Sequence, residues 1–124
     1  MSIAYWCILA AALLPYLLVI PAKSGTHFDN HAPRTQLATA HGWRQRLNWA
    51  HLNAFEAFAP FAAAVLTAQQ LHGPQNRIDS LALTFIALRV LHPLFYALDK
   101  PMLRSLVWIG AYACVLGLFL LNVV

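Results

Sequence analysis

The chain has 124 residues, of which 60% are hydrophobic and only 10% charged. A soluble domain carries roughly a quarter charged residues, so this composition excludes a water-wetted globule and points to one membrane-embedded domain over residues 1–124. The net charge of +4 is not gathered on a soluble basic face; it excludes nucleic acid as a partner and fits the usual surplus of cations in cytoplasmic loops.

Four apolar segments follow in chain order, at about residues 3–22, 47–71, 81–98 and 102–124. Each approaches the length needed to cross roughly 30 Å of hydrocarbon at about 1.5 Å per residue. The expected fold is therefore all-α, an integral membrane four-helix bundle. The first segment is read as a retained span rather than a signal peptide, because Met1 to Tyr5 holds no Lys or Arg. Pro15, Pro60 and Pro93 lie inside segments and are expected to kink them.

The connections differ in kind. The first, over residues 23–46, is long and polar. The second, over residues 72–80, opens on His72-Gly73-Pro74, a helix stop. The third is only Asp99-Lys100-Pro101 and forces the last two helices to be antiparallel neighbours; Asp99 is expected to cap the fourth helix, with Pro101 in its first turn. Positive residues crowd the first and third connections (Lys23, Arg34, Arg44, Arg46, Lys100 and Arg104), whereas the second holds only Arg77. The crowded side is expected to be cytoplasmic, with both termini outside.

Cys7 and Cys114 stand in apolar runs without CxxC spacing and read as small buried residues. His27, His31 and His41 read as solvated loop residues, and no metal site is expected. Trp6, Trp43, Trp49 and Trp108 lie near segment ends, where tryptophan belts form.

Several polar residues do not belong in hydrocarbon. Glu56 and Arg89 sit deep in the second and third segments, and each would cost roughly 2.5–3.5 kcal/mol if it faced lipid unpaired. Pairing Glu56 with Arg89 is one way to lower both costs. Arg46, Asn53 and Glu56 fall within an arc of roughly 80° at about 100° per residue, and Arg89, His92 and Tyr96 within roughly 60°. Arg104 and Ser105 occupy the start of the fourth segment, where free backbone N–H groups favour anions. Sorted by depth, these groups describe a polar pocket open to the cytoplasmic side. It suits a small zwitterion with carboxylates: Arg46, Arg104 and Lys23 to hold carboxylates, Glu56 to hold an ammonium or amide, and Arg104 or Tyr96 to stabilise a nearby thiolate.

At these residues the sequence resembles the MAPEG family, the membrane-associated proteins in eicosanoid and glutathione metabolism. The resemblance covers nearly the whole chain. It rests on the four-segment layout, on Asn53-Ala54-Phe55-Glu56, on Arg89-x-x-His92-x-x-x-Tyr96 and on Arg104-Ser105. The run Asp29-Asn30-His31-Ala32-Pro33-Arg34 is similar to one common in bacterial members, which implies a bacterial inner membrane. The resemblance implies a homotrimer with glutathione as co-substrate at the subunit interfaces. It makes Arg104 the residue that activates the glutathione thiol, with Ser105 beside it. Asn53, Glu56, His92 and Tyr96 match glutathione contacts, Arg89 matches a buried arginine, and Lys23 stands where several members place an arginine. Two positions depart from the pattern. Trp49 and Leu52 stand where some members carry an arginine near Asn53, with Arg46 a turn or more earlier, and Trp108 stands where some carry a tyrosine.

The implied function is a glutathione-dependent membrane transferase or peroxidase acting on lipophilic electrophiles or hydroperoxides that arrive through the lipid. Two other readings stay open at this level: a non-catalytic lipid-binding or scaffold protein of the same fold, and a small ion or proton pathway through Glu56, Arg89 and His92.

Overall fold

A computed structural model describes residues 1–25, 27–121 and 123 of the chain. Five helices are present among them: α1 (Ile3–Ala22), the short α2 (Pro33–Ala38), α3 (Gly42–Gln70), α4 (Gln75–Ala97) and α5 (Pro101–Leu120). The architecture is all-helical. Helices α1, α4 and α5 are each long and apolar enough to cross a membrane. Helix α3 is the longest at 29 residues, but Arg44, Arg46, Asn53, Glu56 and Gln69 dilute its hydropathy below that of the other three.

Side-chain links at both ends of the long helices show how they are arranged. Arg46, in the first turns of α3, donates from Nη2 to the carbonyl of Ala97 at the end of α4 (3.2 Å). At the opposite end, the backbone N–H of Ala4 donates to Asp79 Oδ1 (2.9 Å) and Gln69 donates to the Ser2 hydroxyl (2.7 Å). The start of α3 therefore meets the end of α4, and the start of α1 meets the end of α3. Successive long helices run antiparallel. Helix α1 packs on α3 and α4, and α5 packs on α4 and α3.

The core between them is built from small residues and one aromatic pair. Ala4, Ala11, Ala64, Ala68, Ala82 and Ala111 are buried at helix crossings. Small side chains let backbones approach where lipid supplies no hydrophobic drive for association. Gly110 shows how close that approach is: a β-carbon there would stand 3.0 Å from Leu88 Cδ1. Phe61 and Phe85 stack face to face, with centroids 3.8 Å apart and planes 3° apart. Large apolar side chains cover the outside instead, among them Leu13, Leu17, Ile20, Leu106 and Ile109. A soluble monomer rarely exposes so continuous an apolar surface.

Three helix boundaries and one additional helix differ from the sequence expectation. Helix α3 begins at Gly42 rather than at residue 47, and α4 begins at Gln75 rather than at residue 81. Hydropathy marks where an apolar run starts, whereas the backbone coils earlier through polar residues that bond within the helix. Ser80 Oγ, for example, donates to the Asn76 carbonyl (2.7 Å) and Gln75 to Asp79 (3.0 Å). The first connection is not all loop: Pro33, with its fixed φ, opens α2, whose Leu37 is buried against Ala22 and Leu47. Helix α5 ends at Leu120; of the residues beyond it that were expected to be helical, Asn122 and Val124 lie outside those described.

Asp99 does not cap the last helix. It adopts φ 55° and ends α4 instead. Its N–H bonds the Tyr96 carbonyl (3.2 Å) and that of Lys100 bonds Phe95 (2.9 Å), the paired pattern of a left-handed helix stop. Aspartate is among the few non-glycine residues that tolerate this conformation. Lys100 takes the N-cap position of α5, without a side-chain bond, and Pro101 follows in the first turn as expected.

Candidate functional site

The polar residues of α3, α4 and α5 meet at the end of the molecule where α4 turns into α5. Helical spacing explains why. Asn53 and Glu56 are one turn apart on α3. Arg89, His92 and Tyr96 climb one face of α4 at intervals of three and four. The tight turn after α4 then brings Arg104 and Ser105 of α5 back alongside Tyr96.

A cavity of about 410 Å³ results, lined by Asn53, His92, Tyr96, Arg104, Ser105, Trp108 and Ile109. The Arg104 guanidinium lies 4.5 Å from the Tyr96 ring centroid, a cation–π contact that holds the arginine over the cavity wall without engaging a carboxylate. His92 meets the same ring edge-on at 5.4 Å, and Trp49 leans on it at 6.1 Å. His92 is buried, and its Nδ1 has no hydrogen-bond partner among the described residues. The cavity thus presents a guanidinium, a hydroxyl (Ser105), a phenol and an amide from three helices.

Below it, Arg89 is only 3% exposed, and its Nη2 donates to Asn53 Oδ1 at 2.8 Å. The expected pairing of Arg89 with Glu56 is replaced by a relay. The Asn53 amide accepts from Arg89 through its oxygen and donates through its nitrogen to Glu56 Oε2 (3.4 Å). An amide carries both functions, so one residue satisfies the buried cation while Glu56, one turn on, points outward and stays exposed on the single chain. A carboxylate at that depth requires a neighbour other than lipid.

Six of the nine residues read from the sequence as a site are therefore gathered directly: Asn53, His92, Tyr96, Arg104 and Ser105 line the cavity, and Arg89 is bonded to Asn53 beneath it. Glu56 is linked through Asn53 at the outer edge. Arg46 is directed elsewhere within the chain; it closes the C-terminal end of α4 through Ala97, where a cation complements the helix dipole. Lys23 lies at the end of α1 beside Phe28, in a different cavity. One lining residue, Ile109, carries no sequence signal as a ligand, and Trp108 carries one only through the family resemblance. Ile109 looks like any lipid-facing residue; only its place one turn after Ser105 aims it at the cavity. Trp108 reads as a belt tryptophan, yet it borders both this cavity and a small apolar notch beside Arg89, and it stacks on Tyr112 (5.6 Å, 8° between planes).

Apolar helices of membrane-crossing length beside an open, partly polar cavity define an integral membrane protein with a ligand-sized site. Among protein families, the model of the MAPEG family matches residues 3–124, and the chain belongs to that family. Membership associates it with membrane proteins of glutathione or eicosanoid metabolism. No curated protein and no solved structure matches the chain.

Proposed function

We propose that this protein is a glutathione-dependent transferase or peroxidase for lipophilic electrophiles or hydroperoxides. It works as a homotrimer of four-span bundles in a bacterial inner membrane, with the ends of α1 and α4 on the cytoplasmic side. The observation that carries this reading is Arg104, poised over Tyr96 beside Ser105 at the mouth of the cavity. Arg104 is not neutralised by any acid lining that cavity, so its charge is available to an incoming anion.

Glutathione enters from the loop side. The Arg104 guanidinium favours the thiolate over the thiol, and Ser105 is placed to donate a hydrogen bond to sulfur. His92 and Asn53 offer hydrogen bonds to the tripeptide backbone, and Glu56 attracts its ammonium. Lys23 and Arg46 are assigned to carboxylates, with Lys23 acting on the site of a neighbouring subunit. The thiolate sulfur then attacks an electrophilic carbon to form a thioether, and the displaced group leaves with the electron pair. With a hydroperoxide, two glutathione thiols are oxidised to the disulfide while the substrate is reduced to an alcohol and water. Preorganised charge of this kind lowers barriers by about 3–4 kcal/mol per donor in comparable anion sites.

The trimer is supported by Glu56. Its exposure on one chain, at the depth of α3, is relieved when a neighbouring subunit covers that face. The same cover lets α3, the most polar of the long helices, cross the membrane without meeting lipid all round.

Calorimetry with detergent-purified protein tests the reading. The unmutated protein should bind glutathione, and Arg104→Ala should bind it at least tenfold more weakly while keeping its helical content. Failure of the unmutated protein to bind at millimolar glutathione would overturn the proposal and leave the scaffold reading standing.

A further inference from the structure

A second cavity, of about 370 Å³, lies where α1 ends and α3 begins, bounded by α2 and sharing no residue with the first. Its size is in the range of small-molecule sites. Its lining is divided. Ala22, Phe28 and Leu37 provide an apolar floor, while Lys23, Arg44 and the two histidines His27 and His41 supply all the titratable groups. No carboxylate lines it. Of the four acids in the chain, Glu56 stands about three turns beyond Arg44 on α3, Asp79 and Asp99 lie on and just after α4, and Asp29 is engaged locally as acceptor for the His31 N–H (2.9 Å).

Arg44 is prepared for an anion. Its guanidinium is 5.2 Å from the Trp43 ring. On another side the main chain at Gly25 approaches it, so that a β-carbon there would stand 3.5–3.6 Å from Nη1, Cζ and Nη2 alike. Near-equal distances to three guanidinium atoms mean that the loop backbone crosses the flat face of the group. Contacts made through the face leave the in-plane N–H donors available, and a planar fork of donors matches phosphate oxygens. Trp43 is 43% exposed, as expected of a residue at the membrane–water boundary. A tryptophan belt at this residue would put the cavity at the level of lipid phosphates.

We propose that this cavity is a phosphate-binding site, filled by the headgroup of an acidic phospholipid, with Arg44 as its cationic ligand and Phe28 and Leu37 as the seat for the first carbons beyond the phosphate. It acts independently of the glutathione site. Basic pockets at the ends of membrane helices select acidic lipids by the same physics.

The test uses the full chain in nanodiscs of phosphatidylcholine alone or doped with phosphatidic acid, with retained lipid counted by native mass spectrometry. Unmutated protein should retain phosphatidic acid in preference to phosphatidylcholine. Arg44→Ala should lower that retention about tenfold, and so should Gln36→Glu, a near-isosteric change that puts a carboxylate into the lining and keeps the arginine. Thermal melting shows whether each variant folds; should Arg44→Ala fail, Gln36→Glu decides alone. Arg34→Ala removes the same charge from α2, outside the lining, and should leave retention unchanged. If Arg34→Ala lowers retention as much as Arg44→Ala, diffuse surface charge is responsible and the site is refuted. In a second arm, inorganic phosphate is titrated calorimetrically into protein in neutral nanodiscs. Binding there that is lost in Gln36→Glu supports the site with a soluble phosphate as its source. If the unmutated protein shows no preference for phosphatidic acid and binds no inorganic phosphate, the proposal is overturned.

Discussion

Arg89 of α4 and Asn53 of α3 share a 2.8 Å hydrogen bond beneath the cavity, and it is the one direct partner found for the most buried cation among the described residues. Replacing Asn53 with Ala removes that partner and leaves a charged donor in an apolar surround. The expected loss is about 2–3 kcal/mol of stability, read as the unfolding free energy in detergent. Glu56→Gln keeps the Asn53–Arg89 bond and should cost under about 1 kcal/mol in the single chain. If both variants are equally destabilised, the relay through Asn53 is not what holds Arg89.

Arg104 carries the proposed chemistry through both its charge and its planar shape. Arg104→Lys keeps the charge but loses the fork and the stack on Tyr96. Its kcat/KM toward a lipophilic model electrophile should fall by about 10-fold, and that of Arg104→Ala by about 100-fold or more. Thermal midpoints should stay near that of the unmutated protein, because the Arg104 side chain is only half-buried. Equal activity in Arg104→Ala and unmutated protein would remove this residue from the mechanism.

Asp79 links two helices that are far apart in sequence. Its carboxylate accepts from the backbone N–H of Ala4, in the first turn of α1, where Ser2 occupies the cap position without capping through its own side chain. A carboxylate there also complements the positive end of the helix. Asp79→Ala should cost about 1 kcal/mol and should speed hydrogen exchange selectively at the start of α1. Asp79→Asn, which keeps an acceptor, should lose less than half of that. Unchanged exchange in α1 for Asp79→Ala would show that the bond is not formed.

His72 closes α3 in a left-handed conformation, φ 58°, with its N–H bonded to Gln69 (3.1 Å) and that of Gly73 to Ala68 (3.0 Å). Only glycine adopts that geometry without steric cost. His72→Gly is therefore expected to stabilise the protein by about 0.5–1 kcal/mol, raising the thermal midpoint. His72→Val should lower it.

Most of the candidate site was legible in the sequence because membranes make polar residues costly. Asn53, His92, Tyr96, Arg104 and Ser105 stand out against apolar runs, and helical periodicity alone puts those of each helix on one face. The same contrast hid other parts. Ile109 lines the cavity but looks like an ordinary apolar helix residue. Hydropathy assigns the polar first turns of α3 and α4 to loop because it does not record helical hydrogen bonds.

The sequence by itself determined the all-helical class, the membrane character, the antiparallel pairing forced by the three-residue turn after α4, and the membership of one polar cluster. Tertiary structure decided which polar groups meet. It inserted Asn53 between Arg89 and Glu56, its amide oxygen accepting from the arginine of α4 and its nitrogen donating to the carboxylate one turn on along α3. It sent Arg46 to the end of α4, gave Asp99 to the helix before it, and parted Lys23 from Arg104. Spacing along a helix fixes only the face on which a side chain lies. Which partner it reaches depends on the separation and rotation of neighbouring helices, and these are set by the alanine, glycine and phenylalanine contacts of the packed core.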